Sequence, residues 1–185
     1  MSKPPARSVF VILLRAIGPA THAIMSMQQW RDAAAADGFV DPVTYVATGN
    51  MIAEAEDTAS SVAQRMNRIV QGLGLSPSNL AVVRSPRQLR ALVKANPFPD
   101  AVEERPSQVA VYFFAGRRPD FGWIADHDGR ERVHVEGTHL IVDYGDRATA
   151  SARLAGLIEK RSGAVTARNW NTLAGLAQRA AAREH

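Results

Sequence analysis

Val9–Leu14 reads Val-Phe-Val-Ile-Leu-Leu, with no polar side chain, and Val109–Phe114 reads Val-Ala-Val-Tyr-Phe-Phe, a second continuous apolar run. Successive side chains of a strand point to opposite faces, so such runs need cover on both sides. That requirement constrains the fold more than any other feature. It excludes a lone open sheet with one wet face. We expect the two halves, or the C-terminal helix, to pack against the sheets and form one continuous core.

The segments between these runs supply the rest of the pattern. Ser26 with Gln29 three residues on is a capping box, Met27, Trp30 and Ala34 share the following helical face, and Gly38 supplies a stop. Val43–Ala47 and Asn50–Ala55 read as a hairpin hinged at Gly49. From Asp57 or Thr58, apolar residues at Val62, Met66, Ile69, Val70 and Leu73 form the stripe of an amphipathic helix ended by Gly72 and Gly74. Leu80–Arg84 is the next strand. The order is β-α-β-β-α-β, the ferredoxin-like arrangement.

Ser85, Pro86 and Gln88 open a connecting helix carrying Leu89, Leu92 and Val93 on one face. Pro97, Pro99 and Pro106 then mark Asn96–Pro106 as a linker. The order restarts after it. Val109–Phe114 is a strand, Pro119–Ala125 a short helical segment, and Arg132–Asp143 a hairpin turning at Glu136 and Gly137. Leu154, Leu157 and Ile158 mark a helix, Ala164–Thr166 a residual edge strand, and Asn169 caps a final helix lined by Leu173, Leu176 and Ala180. The fold class is α+β: two tandem ferredoxin-like subdomains packed into one unit, plus a C-terminal helix. Residues 1–95 form the first, 96–106 the linker and 107–185 the second. No strong internal sequence repeat accompanies this order.

Composition narrows the functional classes. Cysteine is absent, which excludes disulfides, a thiolate nucleophile and thiolate-bound metals. The apolar run near the N-terminus is too short for a signal peptide, and no stretch approaches the ~20 residues a membrane span needs. A cytoplasmic protein without membrane attachment is expected. The net charge of +4 comes from arginines scattered among acids, so charge alone gives no nucleic-acid patch. The chain lacks a Gly-rich phosphate loop ending in Lys-Ser/Thr, a G-x-S-x-G elbow and a G-x-G-x-x-G after a strand. No cofactor and no metal are expected.

Two stretches carry the polar groups of a ligand site. Thr166–Thr172 gathers Arg168, Asn169, Asn171 and two hydroxyls ahead of a helix, a setting suited to phosphate or carboxylate. Its structural alternative is that Asn169 caps the helix and Trp170 anchors the core. Arg15, after the first strand, and Thr48-Gly49-Asn50 in the hairpin could share one sheet end; the alternative is ordinary turn chemistry. A turn at Glu136–Gly137 would place His134 opposite His139, without a third zinc ligand. Glu54, Glu56 and Asp57 read as a solvated charge run.

Leu13-Leu14-Arg15 with Ile17-Gly18, Thr44-Tyr45 leading to Thr48-Gly49-Asn50, Asn96-Pro97-Phe98, and Thr166-Ala167-Arg168-Asn169-Trp170-Asn171-Thr172 recur in a familiar order. The chain resembles the bacterial family called domain of unknown function 1697. The resemblance implies two ferredoxin-like subdomains and no activity, substrate or cofactor. Two functional readings follow. One is a non-enzymatic binding module for an anionic small molecule or single-stranded nucleic acid, whose bases can stack on sheet aromatics. The other is an enzyme or sensor acting on a small anionic metabolite between the subdomains. A homodimer is a third reading that the sequence leaves open.

Overall fold

The computed structural model describes residues 6–146 and 152–184. The chain divides into two compact units. One holds the residues up to Arg90 together with those from Leu176 onward, and the other is Ala91–Gly175.

The first unit carries β1 (Ser8–Leu14), α1 (Pro19–His22), α2 (Met27–Ala36), β2 (Val40–Thr44), β3 (Asn50–Ala55), α3 (Ala59–Gly72) and β4 (Ala81–Arg84). Its sheet has the order β2-β3-β1-β4 and is antiparallel throughout, the ferredoxin-like arrangement. Both helix starts follow from their sequence. Ser26 and Gln29 close a reciprocal capping box ahead of α2, and the Thr58 hydroxyl accepts from Ser61 N–H ahead of α3. On the helix-covered face, Phe10, Ile12, Leu14, Met51 and Ala53 pack with Trp30 of α2 and Val62, Met66 and Val70 of α3. The opposite face, with Val11, Leu13, Ile52 and Val82, is buried as well.

The second unit carries α5 (Pro99–Glu104), β5 (Val109–Phe114), a 3-10 turn over Gly122–Asp126, β6 (Arg132–Glu136), β7 (His139–Asp143), α6 (Ala152–Ser162) and β8 (Val165–Asn169). Its sheet runs β6-β7-β5-β8, again antiparallel. Tyr112, Phe114, Leu140 and Val142 pack with Leu154 and Ile158 of α6. Two helices are shared between units: α4 (Pro86–Ala95) starts in the first and ends in the second, and α7 (Trp170–Ala181) does the reverse. Within the first unit, Arg183 just beyond α7 donates to the backbone carbonyls of Asp41 and Ile52 and, at 2.8 Å, to the Glu54 carboxylate.

A repeat that the sequence hides is plain in the registers. Val11 faces Ile52 and Arg84, and Val111 faces Ile141 and Arg168. Leu13 faces Asn50 as Phe113 faces His139, and Val9 faces Glu54 as Val109 faces Asp143. Each sheet therefore sets an acid on its third strand and an arginine on its fourth at matched positions.

Several expectations shift. The second hairpin turns at Gly137–Thr138, so Glu136 faces His139 and His134 faces Ile141. The two imidazoles are not opposite each other: His139 is buried edge-on to Phe113, and His134 meets the Glu136 carboxylate. Among the described residues no group of three or more His, Cys, Asp or Glu could hold a metal ion. Glu54 is not solvated but buried on Arg183, on the face of β3 that it shares with Ile52, opposite the helices and buried as well. Asn96–Pro106 includes the helix α5, and β8 is a full five-residue strand where only an edge remnant was expected. β2 begins three residues earlier than its expected Val43 start, with an irregular register between Val40 and Val43.

Candidate functional site

Arg15 and the Thr48–Asn50 turn meet at one end of the first sheet. Leu14 N–H donates to the Gly49 carbonyl, Arg15 N–H to the Leu80 carbonyl, and the Arg15 guanidinium to the Ser78 carbonyl at 3.0 Å. Asn79 returns bonds to the carbonyls of Arg15 and Ala16, which knits three loops together. Asn50 is fully buried, and its amide donates to Tyr45 O and Thr48 Oγ1, both at 2.9 Å. Gly49 has φ +80°, and a Cβ there would lie 2.7 Å from Ile17. Ala16 and Val46 also have positive φ, the latter unusual for a β-branched residue.

In the second unit, Arg168 is buried, and its guanidinium donates to Thr166 Oγ1 at 2.6 Å and to the Ala167 carbonyl. Burial pushes its pKa down to about 10, as it does for its counterpart Arg84. The Asn169 side chain accepts from Thr172 N–H and starts α7, whereas Asn171 is exposed. These three belong to the second unit, while Arg15, Thr48 and Asn50 belong to the first.

A site that no motif announced lies in the second unit, beside α6. The loop 127–131, with Tyr144 just after β7 and Arg153, Leu154 and Leu157 of α6, lines a half-open cavity of about 340 Å³. An adjoining cavity of about 380 Å³ shares His127, Asp128 and Leu157 and adds Trp123, Asp126 and Arg161. The short 3-10 turn borders the second of these spaces. Asp120 accepts from Gly122 N–H at 2.9 Å, and the Trp123 indole N–H donates to Ser162 Oγ at 2.9 Å, which pins the turn against the end of α6. Gly129 lets the ends of the His127 and Glu131 side chains lie close over the loop, where a Cβ would displace them.

The cavity wall combines free charge with buried hydroxyls. Tyr144 and Tyr112 are hydrogen-bonded through their phenol oxygens. Burial raises the pKa of both, and Tyr112 and the Glu131 carboxylate push Tyr144 further up, so both phenols stay protonated at neutral pH. His127 Nε2 is buried without a hydrogen-bond partner, 3.5 Å from a Glu131 oxygen. Arg130, Arg153 and Asp128 line the same space and form no hydrogen bond or ion pair among the described residues. Arg65, Arg105, Arg132 and Arg183, by contrast, all bind carboxylates. Sequence inspection missed this site because its parts are local only in space, joined by a loop of unremarkable composition.

Comparison with known proteins points one way. The family described as "Protein of unknown function (DUF1697)" matches residues 8–140. No curated protein matches. Among solved structures, the conserved bacterial protein SP0830 from Streptococcus pneumoniae is similar in fold, with a TM-score of 0.68 at 13% identity. The match covers 94% of this chain and 98% of that one.

Proposed function

The chain belongs to the DUF1697 family, and on that footing we propose that it is a binding protein for a small anionic molecule, held in the cavity walled by Arg130 and Arg153. One observation carries this reading: two exposed guanidiniums without carboxylate partners among the described residues face, beside Asp128 and Glu131, a half-open space of ligand size. The neutral Tyr144 hydroxyl adds a hydrogen-bond group at the same wall. Base stacking on a sheet has less support. Tyr112, Phe113 and Phe114 are buried, and the large exposed apolar side chains, Ile24, Val43, Val46 and Val135, are all aliphatic. No helix among the described residues is long and apolar enough to cross a membrane. The second reading, an enzyme or sensor for the same ligand, draws on His127 and Glu131 beside Tyr144, groups able to exchange protons with a bound molecule.

Thermal shift against phosphate, pyrophosphate and small carboxylates tests the proposal. A ligand at ~100 times its dissociation constant should add roughly 2.7 kcal/mol of stability. Arg153→Ala should abolish the shift and leave the ligand-free melting temperature unchanged, while Arg15→Ala and Asn171→Ala should bind as before. A shift lost in Arg15→Ala but kept in Arg153→Ala would move the site to the first unit's loops.

A further inference from the structure

We infer that the ligand is bipartite: its anionic group lies between Arg130 and Arg153, and a flat ring bearing N–H donors lies against Trp123, as in a nucleoside monophosphate. This rests on the anion-binding reading above and extends it to the second cavity. The two cavities share His127, Asp128 and Leu157, so a single molecule larger than an anion can occupy both. Trp123 is half-buried, and its ring N–H is tied to Ser162 Oγ and the Asp120 carbonyl, so the indole is held fixed with ring surface beside the cavity. A fixed aromatic face is a stacking platform for a base.

The polar lining selects among rings. Asp126 and Asp128 carry carboxylates with no hydrogen bond or ion pair among the described residues. Such groups accept from exocyclic amino and ring N–H groups. Arg161 offsets part of their negative charge. The second cavity has Asp120, Asp126 and Asp128 against Arg161, whereas the first sets Arg130 and Arg153 against Asp128 and Glu131, so the phosphate falls to the first.

Tryptophan fluorescence reads this directly, because Trp30 and Trp170 are buried and Trp123 is the half-exposed indole. We expect AMP to bind at least about tenfold more tightly than inorganic phosphate and to quench emission, with phenyl phosphate between them. Asp128→Asn should bring AMP down to the level of phenyl phosphate. Trp123→Phe should keep the affinity and lose the quenching, and Trp123→Leu should lose both. Equal affinity for AMP and phosphate, or AMP binding without a change in Trp123 emission, would overturn the bipartite ligand while leaving the anion site intact. Phenyl phosphate binding as well as AMP would overturn the nucleobase assignment. If neither phosphate nor AMP produces a thermal shift sensitive to Arg153→Ala, the anion site falls with it.

Discussion

The two sheets share strand order and register position by position, yet the layers that cover them differ. The first sheet is roofed by α2 and α3, whose Trp30, Ala34, Val62, Met66 and Val70 fill the space completely enough that Trp30 is inaccessible to solvent. The second has α6, but where α2 would lie there is a five-residue 3-10 turn. A ten-residue α-helix spans about 15 Å, and five 3-10 residues about 10 Å. The shorter element leaves room that the loop 127–131 lines rather than fills. The central strands thus dictate the common framework, and the site arises where one half economises on a helix.

Tryptophan substitutions put the largest strain on this comparison. Trp30→Ala should cost about 3 to 5 kcal/mol in urea unfolding, since it opens a large void and removes the indole N–H contact to the Met66 sulfur at 2.9 Å. Trp123→Ala, at the edge of existing cavities, should cost about 1 kcal/mol. Equal costs would mean that the second roof is packed as tightly as the first, and the comparison would fail.

The matched acids come next. Asp143 is 3% exposed and bonded to Arg105 and Arg132 at 2.9 and 2.7 Å, whereas Glu54 is 9% exposed and answers Arg183. Asp143→Asn should therefore destabilise by about 2 to 3 kcal/mol and Glu54→Gln by about 1 to 2. Burial pushes the Asp143 carboxyl up, but hydrogen bonds from Arg105, Gly145 and Arg132 outweigh it and hold the pKa below its ordinary value. A depressed carboxylate stabilises the fold above its unfolded pKa, about 4, and that contribution disappears as pH falls through the lower folded value. Acid titration of unfolding should show a loss below about pH 4, shared with Asp57 and Asp100, whose carboxyls are also held low, and Asp143→Asn should reduce it. A variant that keeps the full loss would locate the acid sensitivity elsewhere.

What was legible in the chain follows the same division. Val9–Leu14 and Val109–Phe114 announced buried central strands because all-apolar runs have few other uses, and Ser26 with Gln29 fixed the start of α2 through local hydrogen bonds alone. The registers were hidden, because only position across strands relates Arg84 to Arg168 or Glu54 to Asp143, and their neighbours in sequence differ. The hairpin turn shifted by one residue because Glu136 and Thr138 are equally able to flank Gly137. The cavity was illegible for a different reason: it is a deficit of packing, and a deficit leaves no residue pattern. Its charged wall draws on Arg130 and Arg153, which read in sequence like any other scattered arginines.

The hairpin glycines give the smallest contrast. Gly49 and Gly137 occupy corresponding connections, both with positive φ, but their surroundings differ. A Cβ at Gly49 would lie 2.7 Å from Ile17 Cγ1 and 3.0 Å from Leu14 Cβ, while at Gly137 nothing lies within 4 Å. Gly49→Ala should thus cost about 2 kcal/mol, backbone strain plus the push on Ile17, and Gly137→Ala about 1 kcal/mol from strain alone. Gly137→Asn should cost a few tenths, because asparagine tolerates the left-handed region. If Gly49→Asn proves equally mild, Ile17 yields easily, and the loops at that end of the first sheet have slack to admit a ligand that their hydrogen bonding otherwise argues against.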